Sequence, residues 1–264
     1  MKTVLLSRRS LVGGLASLLS VAGAVGPVPA LAGPDEIRIA FVGDSLSDGM
    51  WGGAVRLLSR EACLGSRIKL GRHAENGTGL TRPAKFDWVA ESRAVVARAK
   101  PNLVVVSLGL NDRQSIVDTS RARFDLGTPA WRSRYAELSQ AMLRNLAAEG
   151  AGVLWIGLPV LRDKVSQDDA SEKNAVYAEA IKGLGNPKVR YVEPWKQAAS
   201  GADVFQPYGP DLKGAQVQIR APDGIHFTAA GYDVLAAYLL RTVTGVLKEQ
   251  GVAVGYPCQH QAML

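Results

Sequence analysis

Three short segments, far apart in the chain, carry side chains that together could do acyl-transfer chemistry. Residues 43–46 read Gly-Asp-Ser-Leu and supply Ser45 as a nucleophile. Residues 109–112 read Gly-Leu-Asn-Asp and supply the side-chain amide of Asn111, and residues 223–226 read Asp-Gly-Ile-His. A hydroxyl nucleophile, an amide donor for a developing oxyanion, and an imidazole base with a carboxylate partner are the groups that ester hydrolysis requires.

Ser45 follows an apolar run of strand length and precedes a stretch typical of a helix. A serine at such a turn can present an exposed hydroxyl as a nucleophile. The same position suits a helix N-cap, which is a common role for serine, so Ser45 alone does not decide between the two. The nucleophile elbow G-x-S-x-G of α/β-hydrolases is excluded, because position 47 is Ser rather than Gly.

Asp223 and His226 have a spacing that, in a turn, lets a carboxylate reach one ring nitrogen while the other faces a nucleophile. The chain has three histidines. His260 lies in the C-terminal tail and His73 ends a predicted strand, and neither has an acid at comparable spacing. His226 is therefore the candidate base, although a D-x-x-H segment is also found as a turn with a capping Asp.

Asn111 can donate a side-chain N–H to an oxyanion, and one such donor contributes about 10²- to 10³-fold in rate. Its alternative role is to form a turn, as Asn and Asp often do. Residues 76–79 read Asn-Gly-Thr-Gly, and glycine there lets the backbone come close to a ligand. This segment does not match a dinucleotide-binding fingerprint, because position 82 is Arg where the pattern requires Gly.

The hydrophobic pattern predicts the elements that must position these residues. Apolar runs of strand length alternate with amphipathic stretches of helix length, which indicates an α/β fold, a three-layer α/β/α sandwich around a five-stranded parallel sheet. The predicted strands are 37–42, 67–72, 103–108, 153–157 and 189–192. The predicted helices are about 52–62, 86–99, 129–149, 169–183 and 229–247, with Thr128 and Thr228 as two of the N-caps.

Ligands of such sheets bind beyond the carboxyl ends of the strands. Ser45 and Asn111 follow the first and third predicted strands, so both are expected at this edge. Asp223 and His226 lie in the loop before the last helix, which can bring them to the same edge. The connection over residues 114–131 is longer than two elements need, and it could wall a substrate site or be a surface excursion.

The N-terminus is typical of an export signal. Residues 7–10 are Ser-Arg-Arg-Ser, an apolar stretch runs from residue 11 to residue 25, and residues 30–32 are Ala-Leu-Ala. The stretch is shorter than the roughly 20 residues that a membrane-spanning helix needs. The paired arginines resemble a twin-arginine signal, with a Sec signal as the alternative. Cleavage is expected after Ala32, giving a periplasmic or secreted protein without an integral membrane segment.

Removal of residues 1–32 leaves 232 residues, which we interpret as a single domain over residues 33–264. The net charge falls from +7 to +4, because three basic residues leave and no acidic one does. The remaining charges are scattered, which argues against a nucleic-acid partner. Cys63 and Cys258 are the two cysteines, and in an oxidising compartment they could form a disulfide or remain separate thiols.

The SGNH/GDSL hydrolase superfamily has four motif blocks, and this sequence resembles them, in order, at residues 43–46, 77, 109–112 and 223–226. The segments around the blocks are similar to those of an exported bacterial branch of poorly defined role. The resemblance spans the mature chain and implies a flavodoxin-like sandwich. It also implies that Ser45 is the nucleophile, His226 the general base, and Asp223 the partner that orients it.

The same resemblance implies an oxyanion hole. Its donors would be the backbone N–H groups of Ser45 and Gly77 and the side chain of Asn111, with Gly79 as the alternative backbone donor. No metal or cofactor is expected, because the histidines are scattered and the sequence contains no H-E-x-x-H, C-x-x-C or phosphate-loop motif.

These expectations together predict an exported serine esterase that acts on small acyl esters, above all O-acetyl esters of envelope or extracellular carbohydrate. Acyl transfer to a glycan hydroxyl, a lipase or thioesterase activity, and a non-catalytic glycan-binding role are the alternatives. Arg82, Arg113 and Arg220 lie near the motif blocks, where they could contact an anionic substrate or pair with Asp44, Asp112 or Asp223. Trp51 and Trp88 are predicted to belong to the core, and the oligomeric state stays open.

Overall fold

A computed structural model describes residues 36–61, 67–193, 195, 204–252, 254 and 256. The strands of this part of the chain are β1 (Ile37–Gly43), β2 (Ile68–Ala74), β3 (Leu103–Ser107), β4 (Ile116–Val117), β5 (Arg123–Phe124), β6 (Gly152–Ile156), β7 (Val189–Val192), β8 (Tyr208–Pro210) and β9 (Gln216–Gln218). Its helices are α1 (Ser45–Leu58), α2 (Trp88–Ala99), α3 (Pro129–Ala147), α4 (Lys164–Leu184) and α5 (Ala229–Glu249).

Five strands form one parallel sheet in the order β2-β1-β3-β6-β7. The central strands β1, β3 and β6 are buried along nearly their whole length, as apolar runs covered on both faces should be. From β1 the chain turns to β2 on one side and then returns to β3 on the other. The winding direction therefore reverses between β1 and β3, which is where α/β sheets bind ligands.

Helices cover both faces of the sheet. α1 packs against α5 on one face, and α2, α3 and α4 pack side by side on the other. The contact between α1 and α5 requires glycine, because a Cβ at Gly49 would lie 2.0 Å from the Tyr232 ring and one at Gly53 would lie 2.6 Å from the Tyr232 carbonyl oxygen. The predicted α/β/α sandwich around a five-stranded parallel sheet is confirmed.

Two helices begin earlier than predicted. α1 starts at Ser45 rather than near residue 52 because Asp44 caps it, and its glycines lower the helix propensity of a segment that packing then stabilises. α4 starts at Lys164 rather than near residue 169 because Asp163 accepts the N–H of Ser166 as its N-cap. The structure confirms Thr128 and Thr228 as N-caps of the two helices for which they were predicted.

Two short antiparallel hairpins lie in connections between the main elements and form two separate two-stranded sheets. β4 pairs with β5 inside the long connection between β3 and α3, and β8 pairs with β9 between β7 and α5. Strands of two or three residues are too short for alternation to reveal them, so the sequence pattern did not predict these hairpins.

Some predictions concern residues outside the described part of the chain. These are the export signal, cleavage after Ala32, and the state of Cys63 and Cys258. The single domain over residues 33–264 likewise stays a prediction. Within the described residues, no helix has both the length and the apolar character needed to cross a membrane.

Candidate active site

The end of β1 places Ser45 at the switch point of the sheet. Gly43 has φ +140°, and a Cβ there would lie 1.8 Å from the Ser107 carbonyl oxygen, so only glycine allows β1 and β3 to approach here. The Asp44 carboxylate accepts the N–H of Leu46 at 3.0 Å and caps α1. Ser45 is thus the first helical residue, and its alternative interpretation as the cap is wrong.

Ser45, His226 and Asp223 form a hydrogen-bonded line. Ser45 Oγ lies 2.7 Å from His226 Nε2, and His226 Nδ1 lies 2.7 Å from Asp223 Oδ2. The imidazole can therefore accept the serine proton at one nitrogen while the carboxylate holds the other. The fold brings together the three residues that the sequence singled out as nucleophile, base and orienting acid.

The turn that carries His226 is organised by Asp223. Its Oδ1 accepts the backbone N–H groups of Ile225 at 2.8 Å and His226 at 2.9 Å, while Oδ2 faces the imidazole. Partial burial raises the pKa of Asp223, but hydrogen bonds from the His226 ring and from these two N–H groups outweigh it and lower the pKa to about 2. The carboxylate stays ionised at neutral pH and can stabilise an imidazolium.

Arg220 supports the same turn from within the protein. Its side chain donates to three backbone carbonyls, to Val160 at 2.7 Å, Ile225 at 2.8 Å and His226 at 3.3 Å. The guanidinium also lies 4.3 Å from the centre of the Phe227 ring. Arg220 is 4% exposed, so it holds the loop and does not present its charge to a substrate.

The candidate oxyanion donors come from α1 and from the loops after β2 and β3. As the first residue of α1, Ser45 has no helical acceptor for its N–H. Gly77 has φ +74°, a conformation that favours glycine. Asn111 Nδ2 donates to the Thr78 carbonyl at 3.0 Å, which ties the amide to the loop that carries Gly77 and leaves its second N–H for an oxyanion.

Gly77 and Gly79 differ in their surroundings. A Cβ at Gly79 would lie 2.1 Å from Asp112 Oδ1, so glycine there permits the close approach of a buried carboxylate. A Cβ at Gly77 would meet only the Lys85 ammonium, at 3.6 Å. Glycine at position 79 therefore has a packing role, whereas the space beside Gly77 is open, as a backbone donor to a ligand would require.

Two buried carboxylates lie behind these residues, and sequence reasoning did not select them as functional. Asp44 and Asp112 are both 0% exposed. Asp44 also accepts the N–H of Gly109 at 3.2 Å. Burial raises the pKa of Asp44 to about 7, although the N–H groups that it accepts oppose this shift. Each carboxylate lies inside a motif block, next to Ser45 or Asn111, and that adjacency is the signal that could have found them.

The two arginines predicted to contact substrate lie in different surroundings. Arg113 donates to Ser166 Oγ at 2.6 Å, and its Nε lies 3.9 Å from Asp169 Oδ2, so α4 engages it. Arg82 is exposed and lines a groove of about 660 Å³ between the loop after β2 and the β4–β5 hairpin. In the described part of the chain, no hydrogen bond or ion pair joins either arginine to Asp44, Asp112 or Asp223.

An open cleft of about 400 Å³ borders the hydrogen-bonded line. Besides Ser45 and His226, its lining residues are Asp48, Gly49, Trp51, Gly52, Arg56, Ala229 and Tyr232. Gly52 has no side chain, and beyond its own helix a Cβ there would meet only Arg56 Nη1, at 3.5 Å. The backbone of α1 at Gly52 therefore forms part of the cleft surface. The core prediction is confirmed for Trp88, which is 2% exposed. Trp51 is only partly buried, packing against the core while it borders the cleft.

A family model described as "Protein of unknown function (DUF459)" matches residues 38–242 of the chain. Among curated proteins, none matches the sequence at a significant level.

Several solved structures share the fold. TesA is 21% identical with a TM-score of 0.54, covering 80% of this chain and 99% of that one. The acetyl xylan esterase AlAXEase is 17% identical with a TM-score of 0.52, covering 78% and 100%. A GDSL-like lipase from Bacteroides thetaiotaomicron is 18% identical with a TM-score of 0.52, covering 83% and 93%. The chain therefore has the fold of the SGNH/GDSL hydrolases, as its motif blocks led us to expect.

Proposed function

The chain belongs to the DUF459 family of proteins of unknown function, and we propose that it is an exported serine esterase that hydrolyses small acyl esters, chiefly O-acetyl esters of carbohydrate. One observation carries the proposal, the line from Ser45 through His226 to Asp223 with 2.7 Å at each step. Gly77 and Asn111 support it, because they place candidate oxyanion donors at the same edge of the sheet.

The proposed reaction has two halves. His226 Nε2 takes the proton of Ser45 Oγ as this oxygen attacks the acyl carbon, and the oxyanion accepts hydrogen bonds from Ser45, Gly77 and Asn111. The imidazolium, stabilised by ionised Asp223, gives its proton to the alcohol oxygen as the carbon–oxygen bond breaks, which leaves an acyl-enzyme. Water then attacks the acyl carbon with His226 as base, and the acid and free Ser45 are released.

The open cleft supports a hydroxyl-rich alcohol portion of the substrate. Because His226 must reach the leaving oxygen, the alcohol lies on the His226 side of Ser45, where the cleft is found. Asp48, Arg56 and Trp51 line it, and charged and aromatic side chains together suit a sugar. Two structural neighbours are named as acetyl xylan esterases, which is consistent with this substrate class.

Export is part of the proposal and rests on residues 1–32. It would bring the enzyme to glycans of the envelope or the medium. The mature protein recovered from bacterial culture is expected to begin at Gly33, as N-terminal sequencing can establish. A chain that keeps residues 1–32 and remains in the cytoplasm would contradict this part.

Ser45→Ala tests the mechanism. The variant is expected to lose about 10⁴-fold or more of kcat/KM on p-nitrophenyl acetate, because no other hydroxyl replaces the nucleophile. Ser47→Ala is the matched control, since Ser47 lies on the same helix, is 0% exposed, and has no hydrogen-bond partner for its Oγ in the described part of the chain. It should keep its activity. A fully active Ser45→Ala protein contradicts the proposal, as does a wild-type protein that neither cleaves esters nor reacts with a fluorophosphonate.

A substrate panel separates the proposed activity from its alternatives. p-Nitrophenyl esters of increasing chain length and acetylated xylo-oligosaccharides are compared, with sugar acceptors added in a second series. A steep preference for acetyl and release of free acetate are expected. Preference for long acyl chains would indicate a lipase or thioesterase, and acetylated acceptors would indicate a transferase. Saturable glycan binding without any hydrolysis would indicate a binding protein.

A further inference from the structure

We propose that Asp112 is a positioning residue for catalysis, which holds the oxyanion loop, defined as residues 77–81, in place before substrate binds. The inference rests on the proposed esterase function, because it concerns how one side of that site is built. Asp112 follows Asn111, the amide donor, but its own side chain points away from solvent and is 0% exposed. Its role is therefore to be found in what it contacts inside the protein.

The carboxylate of Asp112 binds the far end of the oxyanion loop. Oδ2 accepts the backbone N–H of Leu80 at 2.9 Å, and Oδ1 accepts both the N–H of Thr81 at 2.9 Å and its hydroxyl at 2.7 Å. Tyr135 donates its hydroxyl to Oδ2 at 2.8 Å. Four donors thus bind a carboxylate that would be costly to bury without partners. Hydrogen bonds of this kind are strong in a low-dielectric interior.

Asn111 binds the middle of the same loop. Its amide donates to the Thr78 carbonyl at 3.0 Å, so two consecutive residues after β3 hold the loop at Thr78 and at Leu80 and Thr81. Gly79 lies between these points, and its missing Cβ makes room for the carboxylate. The segment that bears the Gly77 N–H and the segment that bears the Asn111 amide are consequently fixed to each other.

The helices behind the site anchor Asp112 in turn. Tyr135 lies on α3, stacks on Trp131, and has its hydroxyl 2.6 Å from that of Tyr177 on α4. Burial and the nearby Asp112 raise the pKa of Tyr135 well above its usual value, so the phenol keeps its proton. The position of the oxyanion loop is therefore set by the packing of α3 and α4, through one carboxylate.

Asp112→Asn tests this role because it keeps the shape and replaces one acceptor oxygen with a donor. In the folded variant, kcat on p-nitrophenyl acetate is expected to fall about 10²-fold, the typical effect of a lost oxyanion donor, while KM changes less than about threefold. The Ki of an alkyl boronic acid, whose adduct with Ser45 carries a negative oxygen, should rise in parallel, because this adduct resembles the transition state. Amide hydrogen exchange at Leu80 and Thr81 should become faster.

Two further variants keep the test decisive. Tyr135→Phe removes one donor to Asp112 and leaves the backbone contacts, so a decrease of about threefold to tenfold in kcat, roughly one hydrogen bond, with unchanged KM is expected even if Asp112→Asn does not fold. Ser92→Ala removes a buried hydroxyl of α2, which donates to the Val89 carbonyl and accepts from Asn145 Nδ2. It should lower the melting temperature without changing kcat or the boronate Ki.

Unchanged kcat and boronate Ki in Asp112→Asn, or in Tyr135→Phe when the first variant is unfolded, would overturn the positioning role. Failure of the proposed function is recognised separately, in a wild-type protein that neither hydrolyses esters nor binds the boronic acid. In that case hydrogen exchange decides the structural part, and equal protection of Leu80 and Thr81 in wild type and variant overturns it.

Discussion

The candidate nucleophile and the candidate base are held by two regions of the protein, and these regions differ in burial. The sheet half of the site, which follows the ends of β1, β2 and β3, comprises Asp44, Ser45, residues 77–81, Asn111 and Asp112. The loop half comprises residues 220–228, between β9 and α5. The anchoring carboxylates of the sheet half are 0% exposed, whereas the side chains of Asp223 and His226 are 45% and 35% exposed.

The chemistry assigned to each half explains this difference. In the proposed mechanism, the sheet half carries the groups that face the oxyanion, and such donors act best when they are fixed before the reaction. In the same mechanism the loop half transfers the proton, so His226 must meet Ser45, the leaving oxygen and water in turn, which requires a site next to solvent. There Arg220 supplies the rigidity that burial supplies in the sheet half, through its contacts with three backbone carbonyls.

The largest expected effect is on activity, and it comes from replacing the candidate base or its carboxylate partner in the loop half. His226→Gln should lower kcat/KM by about 10⁴-fold or more because it removes the proposed base, and Asp223→Asn should lower it by about 10²- to 10⁴-fold because the imidazole loses the carboxylate that orients it. Hydrolysis of p-nitrophenyl acetate measures both, with circular dichroism as the check on folding. An Asp223→Asn protein that keeps more than a tenth of wild-type activity would show that the carboxylate does not orient the base.

The next effect is on stability, and it tests how closely the sheet half is packed. Gly43→Ala should cost more than about 4 kcal/mol, the range of severe overpacking, because its Cβ would lie 1.8 Å from a backbone oxygen. Gly127→Ala is the control, since Gly127 also has positive φ but nothing lies within 4 Å of its Cβ position. It should cost only about 1 kcal/mol. Equal costs in urea unfolding would show that crowding at Gly43 is relieved by small shifts.

Asp44 should make the stability of the sheet half depend on pH. Its pKa is about 7 in the folded protein and near 3.8 when unfolded, so between these values the native state holds a proton that the unfolded state has lost. The associated stability is fully present below about pH 3.8 and is lost as the pH rises through 7, by roughly 4 kcal/mol at most. The unfolding free energy of wild type minus that of Asp44→Asn should therefore fall from pH 4 to pH 7. A flat or rising difference would mean that Asp44 is ionised throughout this range.

The smallest expected effect is on stability, and it concerns Arg220, the buried cation of the loop half. Arg220→Lys keeps the charge but loses the planar fork, so we expect a loss of about 2 kcal/mol in stability, comparable to a hydrogen bond to a charged group. Activity should fall as the turn loosens. Arg98→Lys is the control, because Arg98 pairs with Glu91 at the surface and such pairs are worth less than about 1 kcal/mol. Similar losses in both variants would indicate that the three carbonyl contacts of Arg220 stabilise the protein no more than a surface ion pair does.

For the loop half, the sequence predicted which residues pair to form the candidate base, but not the contacts that hold the loop in place. Asp223 and His226 lie close in the chain, and their spacing sufficed to pair them. The partners of Arg220 could not be predicted, because Val160 lies 60 residues away in the chain. The same limit applied to Arg113, which is engaged by α4 through Ser166 and Asp169. Long side chains can reach several neighbours, and only the packed fold selects among them.

In the sheet half, β1 and β3 were predictable because largely apolar runs of five to seven residues are a strong local signal. The cap of α1 was not, since Asp44 and Ser45 are both good N-cap residues and the choice depends on where the strand ends. Asp112 gave no signal beyond its position next to Asn111. Its partners Leu80 and Tyr135 come from a different loop and a different helix.

The sequence by itself determined the chemical groups and the edge of the sheet at which they lie, because residue types and strand ends are local properties. Only the tertiary structure decided that Ser45 faces His226 across 181 residues of chain and that Arg220 has a structural role. It also decided that the space beside Gly77 is open, whereas the Asp112 carboxylate fills the space beside Gly79. These outcomes depend on contacts between distant segments. Such contacts form only when the whole sheet and its covering helices are packed, and their geometry is not encoded in any one segment.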